Sequence, residues 1–132
     1  MPIADVLLDT HAFLWALSQS SRMSERARQT FLDPNNRLFL SVASVWEIAI
    51  KSSTGKLQLG QPLSAFLDAH LSANGIELLD IRRDHAERVE SLPFHHRDPF
   101  DRILVAQAVR ESIPLLSADA TFDAYEGVTR IW

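Results

Sequence analysis

Cysteine is absent from the 132-residue sequence, which excludes disulfides and thiolate metal sites and fits a chain that works in the cytoplasm. Long apolar runs are missing too. None reaches the ~18 residues that a membrane span needs. The opening MPIADVLLDT has no basic stretch and meets Asp5 and Asp9 at once, so a secretory leader is not expected. A basic surplus is also lacking. Against 13 Lys and Arg stand 17 Asp and Glu, a net charge of −4, which argues against nucleic-acid binding by bulk attraction alone. Internal repeats, low-complexity tracts and interdomain linkers are absent. What remains, 46% apolar and 23% charged, is the composition of an ordinary globular protein. Its length suits one domain, residues 1–132, with a real core.

Five short apolar runs read as strands: ADVLLDT, RLFLSV, IELLDI, IPLLSA and VTRIW. Between them lie segments of helical spacing: HAFLWALSQ, SERARQTFLD opening at Ser24, ASVWEIAIKSS closed by Gly55, PLSAFLDAHLSANG stopped by Gly75, RDHAERVESL ending before Pro93, and the apolar helix after Asp98. KLQLGQP reads as loop, and ATFDAY as a short helix. Strands alternating with helices predict an α/β fold with a mainly parallel sheet covered on both faces. In such sheets ligands bind beyond the carboxyl ends of the strands, where the strand order reverses.

Four acids fall near that edge. Asp9 ends the first strand, Asp119 follows the fourth, and Glu47 lies early in the helix after the second. Asp101 opens the apolar helix in HHRDPFDRILVAQAV. Each has an ordinary explanation. Asp9 and Asp119 suit helix caps, and Glu47 precedes Lys51 by four residues, the favoured spacing for a surface ion pair. Asp98 is a good cap, Pro99 suits the first helical position, and an acid at Asp101 favours the helix dipole. Yet Asp101 shares a helix face with Leu104, Val105 and Ala108, which turns it inward. If the four converge, their repulsion requires a cation. Oxygen ligands without cysteine suit Mg²⁺ or Mn²⁺, which complete their shells with water and phosphate oxygens.

The five histidines do not support a zinc site. His95 and His96 are adjacent, and His11, His70 and His85 lie in separate helices, so surface or packing roles are expected for them. Trp15, Trp46 and Trp132 read as core or interface residues rather than platforms for nucleic-acid bases.

LLDTHAFLW, SVASVWEIAIKSSTGKLQL, HHRDPFDRILVAQA and LLSADATF, in this order across nearly the whole chain, resemble the PIN-domain ribonucleases, specifically the VapC toxins of toxin–antitoxin pairs. The resemblance implies a three-layer α/β/α sandwich and Mg²⁺-dependent endoribonuclease action, with Mn²⁺ able to substitute, leaving a 5′-phosphate and a 3′-hydroxyl. It also implies a homodimer and inhibition by a cognate VapB-like antitoxin. Matched motif by motif, Asp9, Glu47, Asp101 and Asp119 are the metal-holding acids. Asp98 belongs to the DPFD variant and ranks second, as a cap or a group that orients Arg102 or a metal-bound water. Thr10 and Ser44 supply supporting hydroxyls. Lys51, Lys56, Arg97 and Arg102 are candidates to steer the RNA backbone. A phosphatase of the haloacid dehalogenase type would need DxD where Asp9-Thr10-His11 stands. A receiver domain would need an acid pair and a late lysine that are missing. The remaining alternative is a PIN-like module that binds RNA or an antitoxin without cutting.

Overall fold

A computed structural model describes residues 4–132. Met1, Pro2 and Ile3, on which the expectation of no secretory leader partly rests, lie outside the described residues. Five parallel strands, β1 (Ala4–Leu8), β2 (Asn36–Ser41), β3 (Ile76–Leu79), β4 (Leu115–Leu116) and β5 (Arg130–Ile131), form a sheet of order β3-β2-β1-β4-β5. Among the described residues six α-helices connect them: α1 (Thr10–Leu17), α2 (Glu25–Leu32), α3 (Val42–Ser53), α4 (Leu63–Asn74), α5 (Arg83–Arg88) and α6 (Pro99–Glu111).

The strand residues alternate between two cores. Val6 and Leu8 of β1, with Leu38 and Leu40 of β2, bury against Ala12, Phe13, Ala27, Ile48 and Phe66. Leu7 and Leu115 face Leu104, Val105, Ala108 and Phe122 on the other side. A sheet covered on both faces explains why the middle strands read as continuous apolar runs. No described helix is long and apolar enough to cross a membrane.

Most predicted boundaries lie within a residue or two of the observed ones, and the differences have local causes. IPLLSA yields only the two residues of β4, because Ser117 turns the chain toward Asp119. RDHAERVESL is α-helical only to Arg88 and tightens into a 3-10 turn over Val89–Ser91. ATFDAY is likewise 3-10, from Ala120 to Ala124. Gly75 caps α4 at φ 63°, a left-handed turn that other residues adopt only with strain. Trp15 packs edge-on against Trp132. Trp46, expected in the core or at an interface, is 61% exposed beside Phe100.

The first turn of α6 organises the region beside the sheet edge. Asp98 caps it, its Oδ1 accepting the Phe100 N–H at 2.8 Å, and Pro99 follows at the position the sequence predicts. Arg102 departs from expectation. It is 5% exposed and donates to the carbonyls of Val89, Leu92, Pro93 and His96. Neighbouring helical positions point about 100° apart, so Asp101 faces the sheet edge while Arg102 reaches back to the loop. Arg102 therefore holds the 89–96 segment and is not available to steer a nucleic acid.

Arg102→Met should remove about 3 kcal/mol of stability, since several partly buried carbonyls lose a charged donor. Arg102→Lys should recover less than half, because an ammonium cannot span the same acceptors. Urea unfolding checks both. A fully stable Met variant would show that the loop is held by something else.

Candidate metal centre

The strand order reverses between β1 and β4, since β1 lies between the strand that follows it, β2, and the strand that arrives last but one, β4. The acids gather beyond this point. Asp9 continues the β1 ladder, its N–H bonding the Leu116 carbonyl at 3.1 Å, before its side chain caps α1 by accepting the Ala12 N–H at 2.7 Å. The cap explains its position, and its 7% exposure means the carboxylate is also buried. Burial pushes the Asp9 carboxyl above its ordinary value, Glu47 adds to the rise, and the Ser117 hydroxyl, the Ala12 N–H and His11 oppose it.

Glu47, 8% exposed, comes from the second turn of α3. One oxygen lies 2.7 Å from Thr10 Oγ1, and the other accepts from Lys51 Nζ at 2.8 Å. Thr10 Oγ1 is also 2.8 Å from Ser44 Oγ. A hydroxyl has a single proton, so Thr10 donates to the carboxylate and accepts from Ser44. The predicted Glu47–Lys51 pair exists, but its acid is turned into the site.

Asp101 has no such support. Among the described residues its half-buried carboxylate receives no hydrogen bond. Burial first, then Asp98, Glu47 and Asp9 push it up to about 7, with His96 pulling the other way. Asp101 is thus coupled by charge to the Asp9–Glu47 side. It is also close to the opposite side: ligand atoms of Asp101, Asp119 and His96 all lie within 4.8 Å of one another.

Asp119 caps the 3-10 turn after β4, its Oδ1 accepting the Thr121 N–H at 2.9 Å. Its Oδ2 lies 2.7 Å from His96 Nε2. Burial alone would raise this carboxyl, but the hydrogen bonds from His96 and Thr121 prevail and hold it below its ordinary value. The structure therefore brings all four predicted acids to one edge as two linked halves. Asp9, Glu47 and Asp101 repel one another, Asp119 is compensated by a histidine, and Asp101 stands between.

His96 is the residue that the sequence reading missed. Expected at the surface or in simple packing, it is 9% exposed and inside the site. Adjacent histidines gave no spacing signal. The usable clue was its place two residues before the Asp98 cap, on the loop that leads into the acidic helix. Lys51 and Lys56 line a cleft of about 320 Å³ with Glu47, Ile50, Asp98 and Phe100. They also line a larger neighbouring groove of about 560 Å³ that includes His11, Trp15 and Phe66. Arg97 is exposed.

The donor set tests whether a hard divalent cation fits. Asp9 and Asp101 are both raised by burial and by neighbouring carboxylates, and Asp101 receives no hydrogen bond among the described residues. Together with Glu47 they gain from a cation that neutralises them. Carboxylate oxygens on rigid strand and helix ends suit Mg²⁺ or Mn²⁺. The residues fit.

A family model described as "PIN domain" matches residues 6–128. No curated protein matches the chain. Among solved structures, VapBC2 from Rickettsia felis, bound to a DNA fragment from its promoter, superposes with a TM-score of 0.71 at 16% identity, covering 96% of each chain. A toxin–antitoxin complex from Klebsiella pneumoniae superposes with a TM-score of 0.61 at 20% identity, covering 94% of this chain and 95% of that one.

The raised Asp101 carboxyl gives a signed pH dependence. Between 3.8 and about 7 it is neutral in the fold and ionised in the unfolded chain, so stability falls as pH rises across that window, and the deficit is complete above it. In metal-free protein the melting temperature of wild type relative to Asp101→Asn should therefore drop from about pH 5 to about pH 8. Added Mg²⁺ should restore it at the higher pH. A difference between the two proteins that does not change with pH would contradict the electrostatic description.

Proposed function

This chain belongs to the PIN-domain family, and on that premise we propose that it is a Mg²⁺-dependent endoribonuclease acting as the VapC-like toxin of a toxin–antitoxin pair. The observation that carries this reading is Asp101, a half-buried carboxylate that receives no hydrogen bond among the described residues, lies within 4.8 Å of ligand atoms of Asp119 and His96, and feels the charges of Asp9 and Glu47. Such a placement costs stability without a cation and becomes useful with one. Asp9, Glu47, Asp101 and Asp119 hold Mg²⁺, with Mn²⁺ able to take its place. A divalent ion so held supplies Lewis-acid activation of water and neutralises charge on a phosphodiester.

The other residues have separable tasks. Thr10 and Ser44 orient Glu47 through their shared hydrogen bonds. Lys51 compensates Glu47 until the ion is bound, and with Lys56 gives the flanking cleft a positive wall along which an RNA backbone is guided. Asp98 remains a cap that adds negative charge beside Asp101.

The complexes found for similar structures, VapBC2 and a toxin–antitoxin assembly, support a cognate VapB-like antitoxin as partner. Trp46 and Ile50, 61% and 41% exposed on α3, lie on one helix face, with Phe100 against the Trp46 ring. This apolar surface beside the cleft is where a second copy is placed in the proposed homodimer. The whole assembly works in the cytoplasm.

Incubating purified chain with a mixed pool of structured RNAs tests the reading. Cleavage should require Mg²⁺ or Mn²⁺, leave 5′-phosphates, stop with EDTA and with the cognate antitoxin, and fall at least ~100-fold in Asp101→Asn. A folded, antitoxin-free wild type that binds RNA or antitoxin but never cuts would favour the non-cutting module. Cleavage that survives both EDTA and the substitution would remove the acids from the mechanism.

A further inference from the structure

A buried run of polar atoms from outside the four acids ends on one of them, Asp119. The backbone N–H of His96 donates to Tyr125 Oη at 2.9 Å, and His96 Nδ1 lies 3.0 Å from the same oxygen. On the other side of the ring, Nε2 lies 2.7 Å from Asp119 Oδ2. The ring is clamped as well as bonded. It lies parallel to Tyr125, 5.6 Å between centroids at 6°, and 4.5 Å from the Phe122 ring.

The hydrogen-bond directions select a tautomer. The backbone N–H can only donate, so Tyr125 Oη accepts there and still has its own proton to place. Tyr125 is 3% exposed, and His96 Nδ1 is the acceptor in reach. A buried hydroxyl proton without an acceptor is costly, so Nδ1 accepts it and the ring proton resides on Nε2, directed at Asp119. A nitrogen that carries a proton has no lone pair for a metal. We propose that His96 is a positioning residue, set by Tyr125 to donate Nε2–H to Asp119 and to remain outside the ligand shell, although its ring nitrogen lies within 4.8 Å of ligand atoms of Asp101 and Asp119.

The consequence falls on Asp119. Its side chain is 42% exposed, so packing alone does not fix its rotation. The Thr121 N–H holds one oxygen and His96 the other, which locks the carboxylate plane and leaves its free lone pairs for a cation shared with Asp101. Groups that orient ligands in this way commonly change metal affinity 10- to 100-fold, by a general estimate of roughly that size.

This inference rests on the metal-site reading, and its test separates the two. In ¹⁵N-labelled, metal-free protein, long-range ¹H–¹⁵N spectra should show His96 as the Nε2–H tautomer, and the same tautomer should persist when Mg²⁺ is added. Mn²⁺ binding without RNA, followed by electron paramagnetic resonance, should weaken about tenfold in His96→Ala. His96→Gln, whose amide N–H replaces the Nε2 donor, should return affinity to near the wild-type value. Tyr125→Phe should lose the tautomer preference and part of the affinity. Circular dichroism melts identify any variant that fails to fold, and the wild-type tautomer stands apart from them. Loss of the Nε2 proton on adding Mg²⁺, or failure of Gln to restore binding, would make His96 a ligand and overturn the proposal. A wild type that binds Mn²⁺ with an Ala variant that binds equally well would overturn the positioning role alone. A wild type that binds no Mn²⁺ would overturn the metal reading and this proposal with it.

Discussion

Repulsion among carboxylates held at one sheet edge is the constraint on which the rest of this structure depends. Asp9, Glu47 and Asp101 come from three different elements; Glu47 raises the cost of ionising Asp9, and both raise that of Asp101. A fold gains no stability from that arrangement. It is tolerated because the remaining interactions of the edge distribute the charge. Asp9 and Asp101 lie at helix N-termini, where backbone N–H groups offset negative charge. Glu47 has a lysine and a hydroxyl, and Asp119 a histidine. Among the described residues Asp101 alone of the four receives no hydrogen bond, and it is the member coupled by charge to one half and close to the other.

The fold serves this edge in two ways. Parallel strands end together, and the reversal of order between β1 and β4 opens space above Asp9 that no connecting loop must fill. The 89–96 segment, which has no sheet partner, is tied down by buried side chains: Arg102 collects its carbonyls, and Tyr125 accepts the His96 N–H. A loop built on such internal bonds can place a histidine ring as reliably as a helix does. Arg102 and Asp101 are neighbours in sequence, so one helical turn fixes both the loop and the acid.

Much of this was legible in the sequence. The parallel sheet follows from strands without polar alternation, and the acids were readable from their positions at strand ends and helix starts. The ordinary explanations for them hold in the structure. Asp9 and Asp119 do cap, and Glu47 does pair with Lys51, because a residue that caps a helix at a sheet's carboxyl edge already points one oxygen toward the ligand side. Legibility failed where contacts are long-range and carry no period. Arg102 looked like a surface cation because a guanidinium satisfied by backbone carbonyls leaves no pattern in the chain. His96 was missed because its partners, Tyr125 and Asp119, are 29 and 23 residues away. Of the two places expected for Trp46, core or interface, its 61% exposure excludes the core.

The central claim is that the crowded acids form a cation site. Its most direct test is a crystal of the chain grown with Mn²⁺ at a pH above the raised Asp101 value, with the ion located by anomalous scattering. The account predicts a peak contacting Asp101 and at least one of Asp9, Glu47 and Asp119, with His96 still hydrogen-bonded to Asp119. A fully occupied Mn²⁺ elsewhere, with these carboxylates unliganded, would contradict it.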